Sequence, residues 1–317
     1  MGLPKSAINL LIATAKQQPF SGVVATLGRQ HVYASAAEVT QLAKLAGVPL
    51  VASELSLHRH PELQQRGYVS DDSLLAMLGF SSSQRIDHSD YEQAEVQFDL
   101  NSSTTPAELT QQYDAIIDSG TIEHVFDLPN ALRHCLRMLK PNGRMIHLTP
   151  TSNCVNHGFY SISPTLYDDF YRANGCTVET LYLCRMPQRF ERQPWQVYDC
   201  SHSDRNWLPL GRLDGSIYFT YCVARKASTL TSLVNPQQAF YESTWSASSD
   251  QPHAAVAGEP HSASPVKTKA ERLLQATAGF PLAQRCAQTC ISRWRSLIAW
   301  RRERARGRVP YPYVGKF

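Results

Sequence analysis

The 317-residue chain has no CxxC pair, no long apolar run and no internal repeat, and each absence removes a class of protein. Its eight cysteines are scattered, and only Cys286 and Cys290 lie close, at a spacing that suits one helix face better than a zinc ion. Structural zinc is not expected, and in a cytoplasmic chain the thiols should be reduced. No apolar segment approaches the roughly 20 residues needed to span a bilayer. Basic residues are sparse at the start: residues 1–15 hold only Lys5, and the short apolar stretch from Ile8 to Ala13 lacks a cleavage site. A signal peptide is therefore not expected, and a cytoplasmic location is.

Positive charge is missing from most of the chain. Residues 285–308 carry eight arginines and one glutamate, a local +7 within a total of +4, so the remainder is net −3. A nucleic-acid reading of the main domain has no electrostatic support. The basic segment, with Trp294 and Trp300, has the composition of an amphipathic surface binder for an anionic membrane or another polyanion. Its plainer alternative is a solvated helix that docks an apolar stripe. No motif for sequence-specific nucleic-acid recognition is present.

At 43% hydrophobic residues, the chain is long enough for one large domain plus an appendage. Residues 113–147 read as a strand, helix, strand unit. Ala115, Ile116 and Ile117 form an apolar run bracketed by Asp114 and Asp118, as a buried parallel strand should be. Leu128, Leu132, Leu136 and Leu139 then recur at helical spacing, with Pro129 near the helix start, until Pro141, Asn142 and Gly143 force a turn into Arg144 to Leu148. The polar break after Asp118 falls where an open α/β sheet places its ligand crevice.

Upstream, Gly22 to Leu27 is the first strand and Ser35 to Ala46 a helix, with residues 47–70 an insertion. Asp71 or Asp72 caps a short helix through Leu78. Strands follow at Ser83 to Asp87 and Ala94 to Phe98, joined by too few residues for a crossover helix. Downstream, Ser163 and Pro164 start a helix that Asn174 and Gly175 close. Strands over Thr177 to Cys184 and Ser216 to Ala224 flank a long segment rich in Pro, Arg and Trp. Residues 227–268 have linker composition, and residues 269–306 regain helical periodicity.

Tyr113-Asp114, Glu123-His124-Val125 and Leu139-Lys140-Pro141-Asn142-Gly143 stand in the order found in the second half of class I S-adenosylmethionine-dependent methyltransferases, which residues 79–183 resemble. Asn142 replaces the first glycine of the family's turn and tolerates the left-handed backbone required there. The resemblance implies an α/β fold: a Rossmann-like methyltransferase sheet, mostly parallel with an antiparallel last strand, plus a C-terminal helical appendage. The corresponding division is a methyltransferase-like domain over 1–226, a flexible linker over 227–268 and a basic amphipathic helical tail over 269–317.

The implied cofactor is S-adenosylmethionine, and the implied activity is methyl transfer to a small-molecule acceptor, a sugar or another metabolite. Its pocket needs a carboxylate for the ribose diol and a close backbone approach near the methionine part. Asp87 aligns with the ribose-binding acid, with a solvated turn aspartate as the alternative. Asp99 resembles the acid near the adenine amine, with Leu100 as a wall for the ring, against a role capping its own turn. Ser119 and Gly120 follow the fourth strand, where cofactor-lining backbone passes. The first loop departs from the family's Gly-x-Gly-x-Gly: it reads TLGRQ, with Gly28 alone, and Arg29 either reaches the cofactor carboxylate or closes the crevice.

Some family members hold a divalent ion through Glu-x-x-Glu-His. Here the first glutamate is replaced by Gly120, leaving Glu123 and His124, too few donors for a hard cation, so no metal is assigned. Glu123 is expected in the first turn of the following helix, favoured by its dipole. His157 is the candidate base, against a loop-holding role. Phe159, Tyr160, Trp195 and Trp207 are candidate acceptor-pocket aromatics, against ordinary packing. The competing reading keeps the fold but not catalysis: an inactive binding module working through its basic tail.

Overall fold

A computed structural model describes residues 2–187, 193–201, 213–227, 232–242, 245 and 311–317. One compact unit comprises residues 1–204, 215–239 and 311–317, and a second comprises 205–214 and 240–310. In the second, Tyr241 packs edge-on against Phe240 at 5.3 Å and stacks with Trp245 at 6.0 Å. Trp207, most of the expected linker and the Arg-rich segment lie outside the described residues.

The first unit is built on a nine-stranded sheet. In chain order its strands are β2 (Val23–Leu27), β4 (Ser82–Asp87), β5 (Val96–Gln97), β6 (Tyr113–Asp118), β7 (Leu139–Ser152), β8 (Thr177–Met186), β9 (Gln196–Asp199), β10 (Ile217–Arg225) and β11 (Tyr313–Lys316). Their spatial order is β11-β9-β8-β10-β7-β6-β2-β4-β5. Neighbours from β5 through β7 run parallel, whereas β10 is antiparallel to both β7 and β8. The expected mostly parallel sheet with a reversed last strand is therefore present. A separate parallel pair joins β1 (Gly2–Pro4) to β3 (His31–Tyr33).

The core explains the strand order. Ala115, Ile116 and Ile117 of β6 are each at most 1% exposed, so both faces of this central strand are covered. Helix α1 (Lys5–Gln17) buries Ile8, Leu10, Leu11 and Ile12, and these pack in one cluster with Val24, Ile117, Ile146 and Phe219. Each such side chain contributes about 1.5–3 kcal/mol when fully buried. The short apolar run Ile8 to Ala13, set aside in the sequence as no leader, is the middle of this core helix. Among the described residues no helix is long and apolar enough to cross a membrane.

Local signals set most element ends. Helix α2 (Ala36–Ala46) starts on a capping box in which Ser35 and Glu38 satisfy each other's backbone N–H. Three further helices are α3 (Pro61–Gln65), within the insertion, α4 (Asp71–Met77) and α5 (Leu128–Met138), whose cap is Asp127. The cap of α4 is Ser70 rather than Asp71 or Asp72, because both aspartates are engaged by Arg85, at 2.9 Å and 2.6 Å. Ser163 caps α6 (Pro164–Ala173), as its spacing predicts.

Three expectations are corrected. The strand expected over Ala94 to Phe98 shrinks to two residues, and the connection from β4 needs no helix because so short a partner is reached directly. The turn at Pro141 to Gly143 is a bulge within a continuous β7, with Asn142 in the left-handed conformation at φ 61. The long segment before β10 is not only loop: it contributes β9, which pairs with β8, and β11 adds to β9. Residues 313–316, assigned to the helical tail, thus form a strand of the main sheet.

Candidate functional site

The tips of β2, β4 and β6 meet at the switch point where the sheet order reverses. Gly28 leaves β2 at φ 67 and donates its N–H to the Ile86 carbonyl at 2.8 Å. A Cβ on Gly28 would lie 3.4 Å from Thr121 Oγ1 and 3.5 Å from Asp87 Oδ2, so the two polar groups converge on bare backbone. The missing glycines of this loop are replaced by side-chain hydrogen bonds. Thr26 Oγ1 donates to the Gly28 carbonyl at 2.7 Å, Gln30 Nε2 to the Leu27 carbonyl at 3.0 Å, and Thr121 Oγ1 to that same carbonyl at 2.7 Å. Gln30 Oε1 is buried beside them with no hydrogen-bond partner.

Arg29 is placed against expectation. Its guanidinium donates to the Glu92 and Gln93 carbonyls at 2.8 and 2.9 Å and pairs with Asp71 at 3.4 Å, so it ties the loop after β4 in place and does not reach for a cofactor. Asp87 closes β4, its Oδ1 accepting from Ser89 N–H at 3.2 Å while its carbonyl accepts from Phe98 N–H at 2.7 Å. Asp99 does cap its own turn, Oδ1 accepting from the Asn101 backbone at 2.9 Å, and this bond holds its carboxyl below the usual range. Leu100 beside it is buried.

Beneath the tip of β6 lies a buried relay absent from the sequence reading. Asp118 is fully buried; its Oδ1 accepts from the N–H groups of Thr121 and Ile122 at 3.1 and 3.2 Å, and its Oδ2 meets His147 Nδ1 at 2.7 Å. With Nδ1 donating, Nε2 accepts from the Tyr171 hydroxyl at 2.6 Å. Burial pushes the Tyr171 pKa up, which keeps that proton in place. The imidazole also stacks on Tyr167 at 4.2 Å. Ser119 points its hydroxyl at the Gly2 carbonyl at 3.4 Å, and Gly120 follows at φ 91. The only sequence signal was polarity at positions 118 and 147, where the strand pattern calls for apolar side chains.

The segment that follows the tip of β6 is built differently. Glu123 sits in a separate 3-10 turn, Ile122–His124, and α5 starts only at Leu128, so the expected dipole contact is not made. Its carboxylate has no exposed surface and neither oxygen accepts a hydrogen bond from another residue. Burial, reinforced by the charge of Asp118, pushes its pKa up to about 8. The Glu123 carbonyl accepts from Phe159 and Tyr160 N–H at 2.9 and 3.2 Å. Gly158 permits that approach, since a Cβ there would come within 2.9 Å of the same carbonyl oxygen.

These backbone bonds, not the His157 side chain, hold the loop. They bring His157 Nε2 to 3.4 Å from Glu123 Oε1, with His124 Nε2 at 3.9 Å from the same oxygen. Burial lowers the pKa of both imidazoles. At the rim, Phe126 and Phe159 stay 71% and 67% exposed while packing edge-to-face at 5.7 Å, and Tyr160 donates its hydroxyl to the Phe126 carbonyl. Trp195 belongs elsewhere: it is buried and stacked on Phe219 at 6.0 Å, in the core rather than an acceptor pocket.

Strand order and a crevice at the switch point define a nucleotide-cofactor type of α/β fold, with the reversed last strand separating it from a plain dinucleotide-binding sheet. The sequence profile of the family described as methyltransferase domain matches residues 33–213, more than half of the chain, and the protein belongs to that family. The match begins past Gly28, consistent with the unusual first loop. No curated protein sequence matches. Solved structures similar to this chain include the YcgJ protein of Bacillus subtilis, at 12% identity over 70% of this chain and 98% of that one, with a TM-score of 0.35. Another is the CurJ carbon methyltransferase, at 12% identity over 71% of this chain and 54% of that one, TM-score 0.31. A third comes from work on conversion of a disulfide bond into a thioacetal group during echinomycin biosynthesis, at 16% identity over 76% and 88%, TM-score 0.33. Similarity this low adds nothing to the strand order, on which the fold stands.

Proposed function

We propose that the chain is a cytoplasmic enzyme that transfers a methyl group from S-adenosylmethionine to a small-molecule acceptor, a sugar or another metabolite. The observation that carries this reading is the convergence of Asp87 Oδ2 and Thr121 Oγ1 on the uncovered backbone of Gly28. The buried, unpartnered Gln30 Oε1 beside it is an acceptor that a donor on the cofactor would satisfy. Asp87 would hold the ribose diol, Asp99 the adenine amine through the oxygen not used in its turn, and Leu100 the ring face. Backbone at Gly28, Ser119 and Gly120 would line the methionine part. When bound, S-adenosylmethionine supplies an electrophilic methyl group.

The chain's own task is then to orient the acceptor and to receive a proton from it. His157, on the wall facing the strand tips, is the proton acceptor of this reading, and the exposed Phe126 and Phe159 offer apolar surface to the acceptor's body. Calorimetric titration with S-adenosylmethionine and S-adenosylhomocysteine tests it. Saturable binding weakened about tenfold or more in Asp87→Ala, the scale of one charged hydrogen bond, is expected; no heat with either ligand at millimolar concentration would end it. We further propose that the Arg-rich residues 285–308 make peripheral contact with an anionic membrane or another polyanion, on the strength of their +7 charge.

A further inference from the structure

Glu123, His124 and His157 each offer one ligand atom, and these three atoms lie within 4.8 Å of one another. Burying a carboxyl group with no hydrogen-bond partner is costly, and such a group is held neutral unless a cation is bound beside it. Asp118, a few residues away, shows that this region can satisfy a buried carboxylate when it is structural. From the orphaned Glu123 carboxylate facing two imidazoles, we infer that these residues form a site for one divalent transition-metal ion of zinc-like character at the acceptor wall of the crevice.

The distances agree with this. Around a tetrahedral ion with bonds of about 2.0–2.1 Å, ligand atoms stand about 3.3–3.4 Å apart. Here the carboxylate oxygen is 3.4 Å from one imidazole nitrogen and 3.9 Å from the other, and the two rings are 5.1 Å apart and tilted by 58°. Both imidazoles are partly exposed and able to turn, whereas the carboxylate is locked. Asn156, in the left-handed conformation at φ 64, and Gly158, pressed on the Glu123 backbone, present His157 to the carboxylate.

Two imidazoles with one carboxylate suit zinc, cobalt or iron and are a poor cage for magnesium or calcium, which need more oxygens than Gly120 and Glu123 can give. Three protein donors also leave a coordination position open, the mark of a site that takes water or substrate. At this point the inference rests on the methyl-transfer reading: a nitrogen that holds an ion does not take a proton. With the ion bound, His157 would be a ligand and not the proton acceptor, and the ion would supply polarisation of an acceptor oxygen in its place.

The test is equilibrium competition of the full chain for Zn²⁺ against a chelating dye, with Co²⁺ absorption as a second readout. One Zn²⁺ per chain and an intense visible Co²⁺ spectrum are expected. Both should weaken more than about a hundredfold in Glu123→Gln and in His157→Ala, beyond the roughly 10–100-fold that loss of an outer-shell partner costs. Variants with unchanged circular dichroism and unfolding midpoints keep the comparison interpretable. Absence of Zn²⁺ and Co²⁺ binding, binding undiminished in a His124→Ala/His157→Ala double variant, or preference for Mg²⁺ over Zn²⁺ would each overturn the site. S-adenosylhomocysteine titration of chelator-treated protein, run in parallel, separates the readings: retained heat without metal binding sinks the metal site alone, and metal binding without that heat sinks the methyl-transfer reading alone.

Discussion

Strand β6 carries one aspartate next to its first residue, Asp114, and another at its end, Asp118, and the two could hardly differ more. Asp114 meets solvent, pairing with Lys140 at 2.7 Å and accepting from Val23 N–H at 2.7 Å, with about a third of its side chain exposed. Asp118 has no exposure and gathers two backbone N–H groups and the His147 ring. One end ties its strand to the β7 bulge and to β2; the other holds the turn after the strand and the His147 ring. The same residue type at the two ends of one apolar run thus serves two purposes, decided by what the loops bring over it. Glu123 extends the contrast: as buried as Asp118, it is left without hydrogen bonds, and a buried polar group left unsatisfied in this way is where function is to be sought.

The contrast can be broken at three points. The largest effect is expected at the relay: His147→Leu leaves Asp118 Oδ2 with no partner in the interior and should lose about 3–5 kcal/mol in urea unfolding. A loss under about 1 kcal/mol would mean the relay is not a structural keystone. Next comes Glu123→Met, measured with chelator present, which exchanges an unsatisfied carboxyl for an apolar chain of similar volume. Stability should hold or rise by about 1 kcal/mol, and a drop beyond about 2 kcal/mol would show that the carboxylate is structural after all.

The smallest effect belongs to Asp114→Ala, which removes a part-exposed pair worth about 0.2–1 kcal/mol. Burial alone would raise the Asp114 pKa, but the Lys140 ammonium and the Val23 N–H outweigh it and hold the carboxyl below its ordinary value. A depressed folded pKa stabilises above the unfolded value, near 3.9, and that contribution fades as pH falls through the folded one. Urea midpoints of wild type and variant should therefore differ at neutral pH and converge in acid. A gap that widens in acid would reverse the sign of this argument.

The frame was legible where patterns are local. The run at Ala115 to Ile117, the caps at Ser35 and Ser163 and the left-handed Asn142 all follow from spacing and side-chain chemistry. Legibility failed where distant segments meet. Helix α1 passed unread because Ile8 to Ala13 was weighed only as a leader, and β9 and β11 are short strands that exist by pairing with each other and with β8. Near the strand tips, Asp87 Oδ2 meets the Gly28 backbone, while Arg29 is held by Asp71 and the 92–93 carbonyls, partners no local pattern announces. The meeting of His157 with Glu123 depends on backbone bonds across more than thirty residues of sequence, and only the folded chain reveals it.

Trp195 and Phe317 exchange both backbone hydrogen bonds, at 2.9 and 3.0 Å, and Asp199 N–H adds a third at Pro312. In sequence, then, the arginine-rich stretch is a handle that precedes β11, the outermost strand of the sheet. Cutting the chain at residue 268 would strip that strand along with the arginines and confuse a stability defect with a binding one. The informative surgery is an internal excision of residues 246–310 bridged by a short glycine-serine loop, since closing a shorter loop costs little. Retention on anionic vesicles should vanish with the handle while the sheet still folds; retention that survives would assign the contact to another surface.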